Sequence, residues 1–482
     1  MRYDLNVADV REASRGEFDV CIVGAGAAGI TLTNELTRHG YRIALCEGGS
    51  DHFSEASQDC YKGKVIGDPY LTLDGSRLRF LGGSTNHWGG WCRPFTELDF
   101  RRDYLGPEYK WPIEYRELHS YLGKACNILE VRNDFGDIGP QDEVVRVFQF
   151  QFSPPVRFRG KYEKELTESR HAMLFLDANL IDIAGDRDNG GSRITSARFR
   201  SYTGKEMTIR ARRFVFAMGG IENSRFLLWF AQRHGNRFYD SGAPIGKYWM
   251  EHPHFTLGKA IVGFETGKRR FYHLSDREQI RLRILGCGLR LDLQPEGGTD
   301  EMMKELSCAA PKLGKKVAAL AEKNLVCGVR FRAAWEQAPV ISNAVELGRS
   351  HDHFGIPRVD LHWKKHAIDR RTLNETVRVF NEWLLRGDLG RIQLRDWMVH
   401  DWNYPPQGEI AGNHHMGGTR MAESARYGVV DRNCKVFGSE NLYIAGSSIY
   451  TTSGFGNPTL PLVQFALRLA DHMRQTEAPL AG

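Results

Sequence analysis

The chain lacks any long uninterrupted apolar segment. No stretch approaches the roughly 18 uncharged apolar residues that a membrane-spanning helix needs, so we predict no membrane span. Residues 1–5 are followed by neither the apolar core of a secretory signal nor a twin arginine, and no signal is expected. The sequence therefore predicts a protein of the cytoplasm.

Paired cysteines are also lacking. The nine cysteines are scattered, and none forms a Cys-x-x-Cys pair, which argues against a zinc site or a redox dithiol. Their odd number and the lack of a disulfide framework are typical of a reducing compartment. We expect most of them to be buried thiols that pack as small apolar groups, and we predict no metal site.

Long runs of one charge are absent as well. The 65 Lys and Arg residues and the 59 Asp and Glu residues are interspersed, and the formal net charge is +6. No basic run carries interleaved aromatic residues, so we do not expect nucleic-acid binding. A mild positive field favours an anionic cofactor or substrate. The 482-residue length predicts two to four domains.

The first pattern along the chain is that of a βαβ unit near the N-terminus. Residues 18–23 form a short apolar run that ends at glycine, which is typical of a buried parallel strand. Residues 27–38 carry apolar side chains at helical spacing, and residues 42–47 form the next strand. The pattern predicts a mostly parallel sheet with a right-handed crossover.

Three glycines stand between the first strand and the helix. Gly24 permits a tight turn, Gly26 lets the backbone approach a pyrophosphate, and Gly29 allows close helix–strand packing. The helix N-terminus offers N–H donors to the phosphates. Glu47 ends the second strand, where an acid accepts bonds from ribose hydroxyls and repels a 2′-phosphate. The motif does not separate NAD from FAD, and a glycine-rich turn in an ordinary α/β protein is the alternative.

The rest of the chain is a second layer followed by a return to the α/β pattern. Between residues 260 and 400, alternating stretches such as 281–285 predict antiparallel strands, and residues 304–323 and 369–384 predict helices. Flanking this block, residues 208–218 and 441–445 predict strands, and helices are expected from Glu222 and over 459–473. Residues 79–90 form a Gly/Trp loop that suits a backbone pressed against a flat ring, or a surface loop with a packed Trp.

Two C-terminal segments carry candidate catalytic groups. Residues 412–421 are rich in glycine and include His415, an imidazole suited to act as general base on an alcohol. The neighbouring His414 is the less favoured candidate, and a structural loop histidine is the alternative. Asn457 precedes Pro458 and Thr459 at a helix start, where it could point at a substrate. A plain Asn-Pro helix start is equally compatible with the sequence.

Taken in order, these segments resemble the glucose–methanol–choline (GMC) flavoprotein oxidoreductases. Residues 216–225 resemble the inner strand and turn of that family, and residues 246–253 resemble a second signature, with Glu251 where Asp is usual. Residues 415–459 resemble the C-terminal signature. The closest likeness is to the sugar-oxidising branch of pyranose 2-oxidases and glycoside 3-dehydrogenases.

The resemblance implies an α/β architecture like that of p-hydroxybenzoate hydroxylase. A Rossmann-like FAD-binding domain and a discontinuous substrate domain on a mostly antiparallel sheet are expected. Residues 15–100, 171–260 and 401–476 would form the FAD-binding domain, and residues 101–170 and 261–400 the substrate domain. The implied FAD contacts are Gly24, Gly26, Ala27, Ala28, Gly29, Glu47, Gly48, Arg79, Gly82, Gly83, Ser84, Asn86, His87, Trp88, Gly89, Ala217, Gly446, Ser447, Asn457, Pro458 and Thr459.

His87 stands at the offset where pyranose 2-oxidases and choline oxidases bond a histidine covalently to the flavin. Those proteins have Ser or Thr before the histidine, whereas Asn86 stands here. Covalent and non-covalent FAD therefore both stay open.

By resemblance, His415 takes the hydroxyl proton of a sugar, glycoside or polyol. The carbon passes a hydride to flavin N5, and Asn457 orients the oxygen. The product is a ketone or aldehyde, and the electrons pass on to oxygen or a quinone-like acceptor. The alternatives are a FAD monooxygenase or reductase, for which we find no second nucleotide motif or dithiol, and a non-redox flavoprotein lyase or isomerase.

Overall fold

A computed structural model describes residues 1–138, 142–154, 156–188, 191–264, 266, 270–293, 312, 316, 327–401, 403–406 and 410–480. These residues form an eight-stranded mixed sheet, a six-stranded antiparallel sheet, a three-stranded sheet and a two-stranded sheet.

Both large sheets are built from strands that are distant in sequence. The strands are β1 Arg2–Asp4, β2 Glu17–Val23, β3 Ile43–Cys46, β4 Gly63–Gly67, β5 Trp91–Cys92, β6 Val145–Gln149, β7 Gln151–Phe152, β8 Ala172–Leu176, β9 Asn179–Asp188, β10 Gly191–Arg200, β11 Glu206–Phe216, β12 His254–Val262, β13 Arg270–Leu274, β14 Cys287–Leu293, β15 Cys327–Trp335, β16 Ala344–His351, β17 Pro357–Trp363, β18 Gly390–Leu394 and β19 Leu442–Ile444. The α-helices are α1 Ala27–Thr37, α2 Glu55–Asp59, α3 Tyr115–His119, α4 Leu122–Leu129, α5 Phe158–Glu168, α6 Glu222–His234, α7 Asp276–Leu282, α8 Ala367–Arg386 and α9 Thr459–Thr476.

The eight-stranded sheet has a parallel core. Its order is β1-β8-β3-β2-β11-β10-β9, with β19 also paired to β11. The strands β1, β8, β3, β2, β11 and β19 run parallel, and β9, β10 and β11 form an antiparallel meander. The predicted unit of strand, helix and strand at residues 18–47 is confirmed as β2, α1 and β3.

The long strand β11 has two different neighbours along one edge. Residues Glu206–Arg210 pair with β10, whereas Phe214–Phe216 pair with β19 from near the C-terminus. The predicted strands at 208–218 and 441–445 are thereby confirmed, and helix α9 packs against α1. The carboxyl ends of β2, β3, β11 and β19 therefore meet at one edge of the sheet, where open α/β sheets bind ligands.

The six-stranded sheet is antiparallel throughout, in the order β18-β12-β15-β14-β13-β6. Helix α8 covers one face with Leu373, Val377, Phe380 and Leu384, which recur at helical spacing. The expected antiparallel layer and the helix at 369–384 are confirmed. The domain boundaries themselves stay a prediction.

One predicted strand is wrong. Residues 281–285 belong to the end of α7 and the loop after it, and the strand begins at Cys287. Ser275 caps this helix through the backbone N–H of Glu278, and Arg283 ends it with a left-handed φ of 52°. The alternation of Arg and apolar residues fits a half-buried strand as well as one helix turn. The helices predicted for residues 304–323 lie outside the described residues, apart from 312 and 316.

The seven cysteines whose burial the structure describes are all buried free thiols, as expected. No helix within the described part of the chain is long and apolar enough to cross a membrane.

Candidate active site

A cavity of about 380 Å³ lies beyond the carboxyl ends of the parallel strands. It brings together residues from the N-terminal glycine motif, the Gly/Trp loop and both C-terminal segments. Of the predicted site residues, those that line it are Gly24, Gly26, Ala27, Ala28, Glu47, Gly48, Arg79, Gly83, Ser84, His87, Trp88, Gly89, Ala217, His415, Gly446, Ser447, Asn457, Pro458 and Thr459.

The three glycines of the N-terminal motif have different structural roles. Gly24 has φ of 105°, and a Cβ there would lie 2.6 Å from the carbonyl oxygen of Ala217, so only glycine fits. Gly26 lines the cavity, and a Cβ there would meet no protein atom within 4 Å. Gly29 does not line the cavity, and its cofactor contact stays a prediction. A Cβ at Gly29 would lie 2.0 Å from the oxygen of Gly24, which confirms its packing role.

Two further predicted contacts, Gly82 and Asn86, also lie outside the cavity lining. Gly82 has φ of 92° and donates its N–H to Ala25, so it joins the Gly/Trp loop to the glycine motif. The amide of Asn86 donates to the carbonyls of Leu81 and Gly83, both at 2.9 Å. These hydrogen bonds hold the loop together and join it to the glycine motif, and the cofactor contacts of both residues stay predictions.

Two helices begin at the cavity. Neither α1, capped by Gly26, nor α9, capped by Pro458, has a side chain that accepts from its first N–H groups. Residues from both first turns line the cavity. Unpartnered N–H groups at a helix N-terminus attract anions, because they carry the positive end of the helix dipole.

Glu47 lies at the end of β3 and is buried. One carboxylate oxygen accepts the N–H of Ala25 at 2.8 Å, and the other accepts the N–H of Gly49 at 2.9 Å. Each oxygen of a carboxylate has two lone pairs, so both can still accept a ligand hydroxyl. Two uncapped helix starts, a glycine that leaves room beside one of them and a buried acid together fit a dinucleotide such as FAD.

At the other end of the cavity, Asn457 contacts His414 and not His415. The amide Nδ2 of Asn457 lies 3.0 Å from Nε2 of His414. The opposite nitrogen of His414, Nδ1, lies 2.9 Å from Nδ1 of His252, and Nε2 of His252 lies 2.5 Å from the carbonyl oxygen of Gly454. The structure therefore places Asn457 beside His414, the less favoured candidate of the sequence, rather than beside His415.

His415 points the other way, although it also borders the cavity. Its Nε2 lies 3.2 Å from the hydroxyl of Tyr70, which donates to the carboxylate of Glu251. The ring also packs against Trp249, at 5.7 Å between centroids. Asn413, which precedes the two histidines, adopts a left-handed φ of 58°. The two rings after it have different partners, Asn457 and His252 for His414 and Tyr70 for His415.

Both imidazoles are neutral at neutral pH. Burial, followed by the nearby His252 and His254, holds the pKa of His414 well below its ordinary value. Burial and then Arg77 lower the pKa of His415 to about 3. A neutral imidazole has a free lone pair, so either could accept a proton, but only His414 meets Asn457.

Comparison with known proteins shows what the chain is similar to. A family model described as GMC oxidoreductase matches residues 339–466. The 2-methyl-1,2-propanediol dehydrogenase of Mycolicibacterium austroafricanum is 24% identical, with 95% of this chain and 96% of that protein covered. The fructose dehydrogenase large subunit of Gluconobacter japonicus is 23% identical, with 94% and 97% covered. Residues 339–466 thus match the GMC oxidoreductase family model, and the two relatives are similar to this chain over nearly its whole length.

Solved structures match the fold over nearly the whole length of the chain. Pyridoxine 4-oxidase from Mesorbium loti matches with a TM-score of 0.60 at 12% identity, covering 96% of this chain and 100% of that one. Formate oxidase matches with a TM-score of 0.55 at 15% identity, covering 96% and 99%. Members of the family bind FAD, in agreement with the features of the cavity.

The segment at residues 216–225, which resembles a GMC signature, connects two strands of the eight-stranded sheet. Asn223 accepts the N–H of Met218 after β11 and donates to the carbonyl of Ala445 after β19. Its amide also donates to the Ser448 hydroxyl at 2.9 Å. This side chain therefore holds together the two strand ends that border the cavity.

Several residues around His414 and Asn457 carry no prediction from the sequence. His252 lies in the family-like segment 246–253 without an assigned role, and Tyr70 lies in none of the motifs. Gly220 was also passed over, although a Cβ there would lie 2.2 Å from the carbonyl oxygen of His415. A glycine pair directly after a buried strand is the one signal that could have pointed to such a close approach.

Proposed function

We propose that this GMC oxidoreductase oxidises a hydroxyl-bearing carbon of a sugar, glycoside or related polyol to a ketone or aldehyde. The observation that carries the proposal is the contact between His414 and Asn457 at one end of a cavity that fits FAD. The relatives named for fructose and for a propanediol support a small hydroxylated substrate. The sugar-oxidising branch of the family stays our prediction for this chain.

The catalytic base in this proposal is Nε2 of His414. That nitrogen accepts the amide N–H of Asn457, so it carries a lone pair rather than a proton. A substrate hydroxyl placed between the two side chains donates to Nε2 and accepts from the Asn457 amide. Proton removal by His414 raises the electron density on the substrate oxygen, and Asn457 stabilises that charge.

FAD would lie against the uncapped starts of α1 and α9, the glycines around Gly26 and the acid Glu47. When bound, it supplies the acceptor for the hydride of the substrate carbon. The residues that hold it thereby fix the distance from the substrate carbon to that acceptor, while His414 and Asn457 hold the oxygen.

The proposal is tested with purified holoenzyme under anaerobic conditions. A panel of glycosides, free sugars and cyclitols is added, and the flavin absorbance is followed. Bleaching by one member without NAD(P)H is the expected result, and mixing the reduced enzyme with oxygen or a quinone then identifies the acceptor. Bleaching only with NAD(P)H would indicate a monooxygenase or reductase, and chemical conversion without bleaching a non-redox enzyme.

We predict that kcat/KM stays level through the neutral range. His414 must be neutral to accept a proton, and its pKa lies well below the ordinary 6.5. The fraction of active base therefore falls only at a pH well below 6.5, not through the usual titration of histidine. The measurement is the pH profile of kcat/KM, which reports the free enzyme. A decline centred on pH 6.5 would contradict this assignment.

We further predict covalent FAD at His87. The residue lines the cavity and is exposed to it, and burial, followed by Arg157, lowers its pKa. Its neutral imidazole is the form that can bond to the ring. Acid precipitation of the holoenzyme should leave a yellow pellet, and His87→Ala should release the colour to the supernatant. A yellow supernatant from the unchanged enzyme would rule out the bond.

A further inference from the structure

Two adjacent residues, Glu251 and His252, lie directly behind His414 and are fully buried. They follow Trp249 and Met250 in the second GMC segment and precede β12. The mechanism above uses neither of them. Each contacts a different part of His414, one at the backbone and one at the side chain.

The hydrogen bonds of His252 have only one consistent arrangement. A backbone carbonyl can only accept, so Nε2 of His252 donates to Gly454. A neutral His252 then has its lone pair on Nδ1. The pKa of His252 is lowered to about 4, chiefly by burial, so the neutral form is the one present. Nδ1 of His252 therefore accepts from Nδ1–H of His414.

The same tautomers follow when the hydrogen bonds are traced from Asn457 instead of from Gly454. The Nδ2 of Asn457 can only donate, so Nε2 of His414 accepts. A neutral His414 then carries its hydrogen on Nδ1, where His252 stands. The chain of bonds from Asn457 through His414 and His252 to Gly454 thus leads to one tautomer of each ring from either side.

Glu251 fixes the backbone on which His414 stands. Its Oε1 accepts the N–H of His414 at 2.8 Å and the N–H of His252 at 2.7 Å. Its other oxygen accepts the hydroxyl of Tyr70. The N–H of Glu251 donates to Gln337, which Trp363 also holds at 2.8 Å. The carboxylate is therefore surrounded by donors that keep it in place.

We propose that His252 is a positioning residue for the base, fixing His414 as the Nδ1–H tautomer with its Nε2 lone pair toward the substrate, while Glu251 holds its backbone. This proposal depends on the proposed function only in taking His414 as the catalytic base. Without an acceptor at Nδ1, the His414 ring can flip or exchange tautomers, and a smaller fraction of the enzyme then presents the lone pair.

Two variants of His252 separate the acceptor from the rest of the side chain. In His252→Asn, the shorter amide oxygen stands near the position of Nδ1 and can accept from His414. In His252→Gln, the longer amide reaches the position of Nε2 and can donate to Gly454, but leaves His414 without an acceptor. Each variant loses one hydrogen bond, so they match in the cost to stability.

Flavin reduction by saturating substrate is measured for both variants by anaerobic stopped flow. We expect His252→Gln to be slowed at least about ten-fold in kcat with little change in KM, and His252→Asn to stay within about three-fold of the unchanged enzyme. Thermal melting and flavin content should be alike for the two. Equal slowing of both variants, or a fast His252→Gln, would overturn the proposal.

A second measurement leaves His252 unchanged. Nitrogen chemical shifts of histidine-labelled holoenzyme distinguish the two tautomers of a neutral ring, and His414→Ala identifies the signal of His414 by its loss. We expect the hydrogen on Nδ1 in His414 and on Nε2 in His252. The opposite pair of tautomers would refute the proposal. If no sugar or polyol reduces the flavin, the proposed substrate class fails, while the tautomers still test the role of His252.

Discussion

Replacing His414 with alanine is expected to slow flavin reduction by substrate about 10²–10⁴-fold, the usual contribution of a general base. The variant loses the one cavity imidazole that meets Asn457. Because His414 is only half-buried, the protein should still fold and bind FAD. The measurement is the rate of flavin bleaching in anaerobic stopped flow, with flavin content and melting temperature as controls.

The adjacent His415→Ala is the matched comparison. It removes an imidazole of the same loop, but one that contacts Tyr70 and Trp249. We expect it to lower the melting temperature, because a buried ring is lost, and to leave the reduction rate of the loaded enzyme within about ten-fold of the original. If His415→Ala were the slow variant and His414→Ala the fast one, the assignment of the base would be reversed.

Gly26→Val is expected to give a folded protein that has lost FAD. A Cβ at this position meets no protein atom within 4 Å, and the backbone φ of −85° suits valine. The new side chain therefore enters the cavity beside the start of α1 and blocks a phosphate there. We expect the Kd for FAD to rise at least about 100-fold, as for a steric misfit of a few kcal/mol. Apoprotein titrated with FAD, followed by fluorescence, measures the change.

Gly29→Ala supplies the contrast to that variant. Its Cβ would lie 2.0 Å from the carbonyl oxygen of Gly24, so the clash is with protein and not with ligand. We expect this smaller substitution to impair folding itself, seen as a lower melting temperature of the apoprotein. Full FAD binding by Gly26→Val, or an unfolded Gly26→Val apoprotein, would contradict the assignment of Gly26 to the ligand side.

Much of the FAD-binding half could be predicted from sequence, because its signals are local. The apolar run before Gly24, the glycine spacing and the acid Glu47 all lie within one βαβ unit, and each has one physical explanation. The start of α9 after Asn457 was likewise marked by a proline. These features depend on neighbouring residues, and the structure places them where the pattern predicts.

The choice between His414 and His415 could not be made in the same way. The two adjacent histidines both line the cavity, and what distinguishes them is that only His414 contacts Asn457. The partners that hold each ring, Tyr70 and His252, lie far away along the chain. Nothing in local composition encodes such contacts. The strand expected at 281–285 failed for a related reason, since a single turn of helix and a short strand share the same alternation.

The divided edge of β11 has a consequence for how the protein is made. The first half of β11 pairs with the nearby β10, whereas Phe214–Phe216 pair with Leu442–Ile444, which lie far along the chain. During synthesis on a ribosome, this strand edge stays unpaired until β19 has emerged. An unpaired strand edge can pair with other chains. A nascent chain halted before β19 would therefore expose Phe214–Phe216 to such pairing.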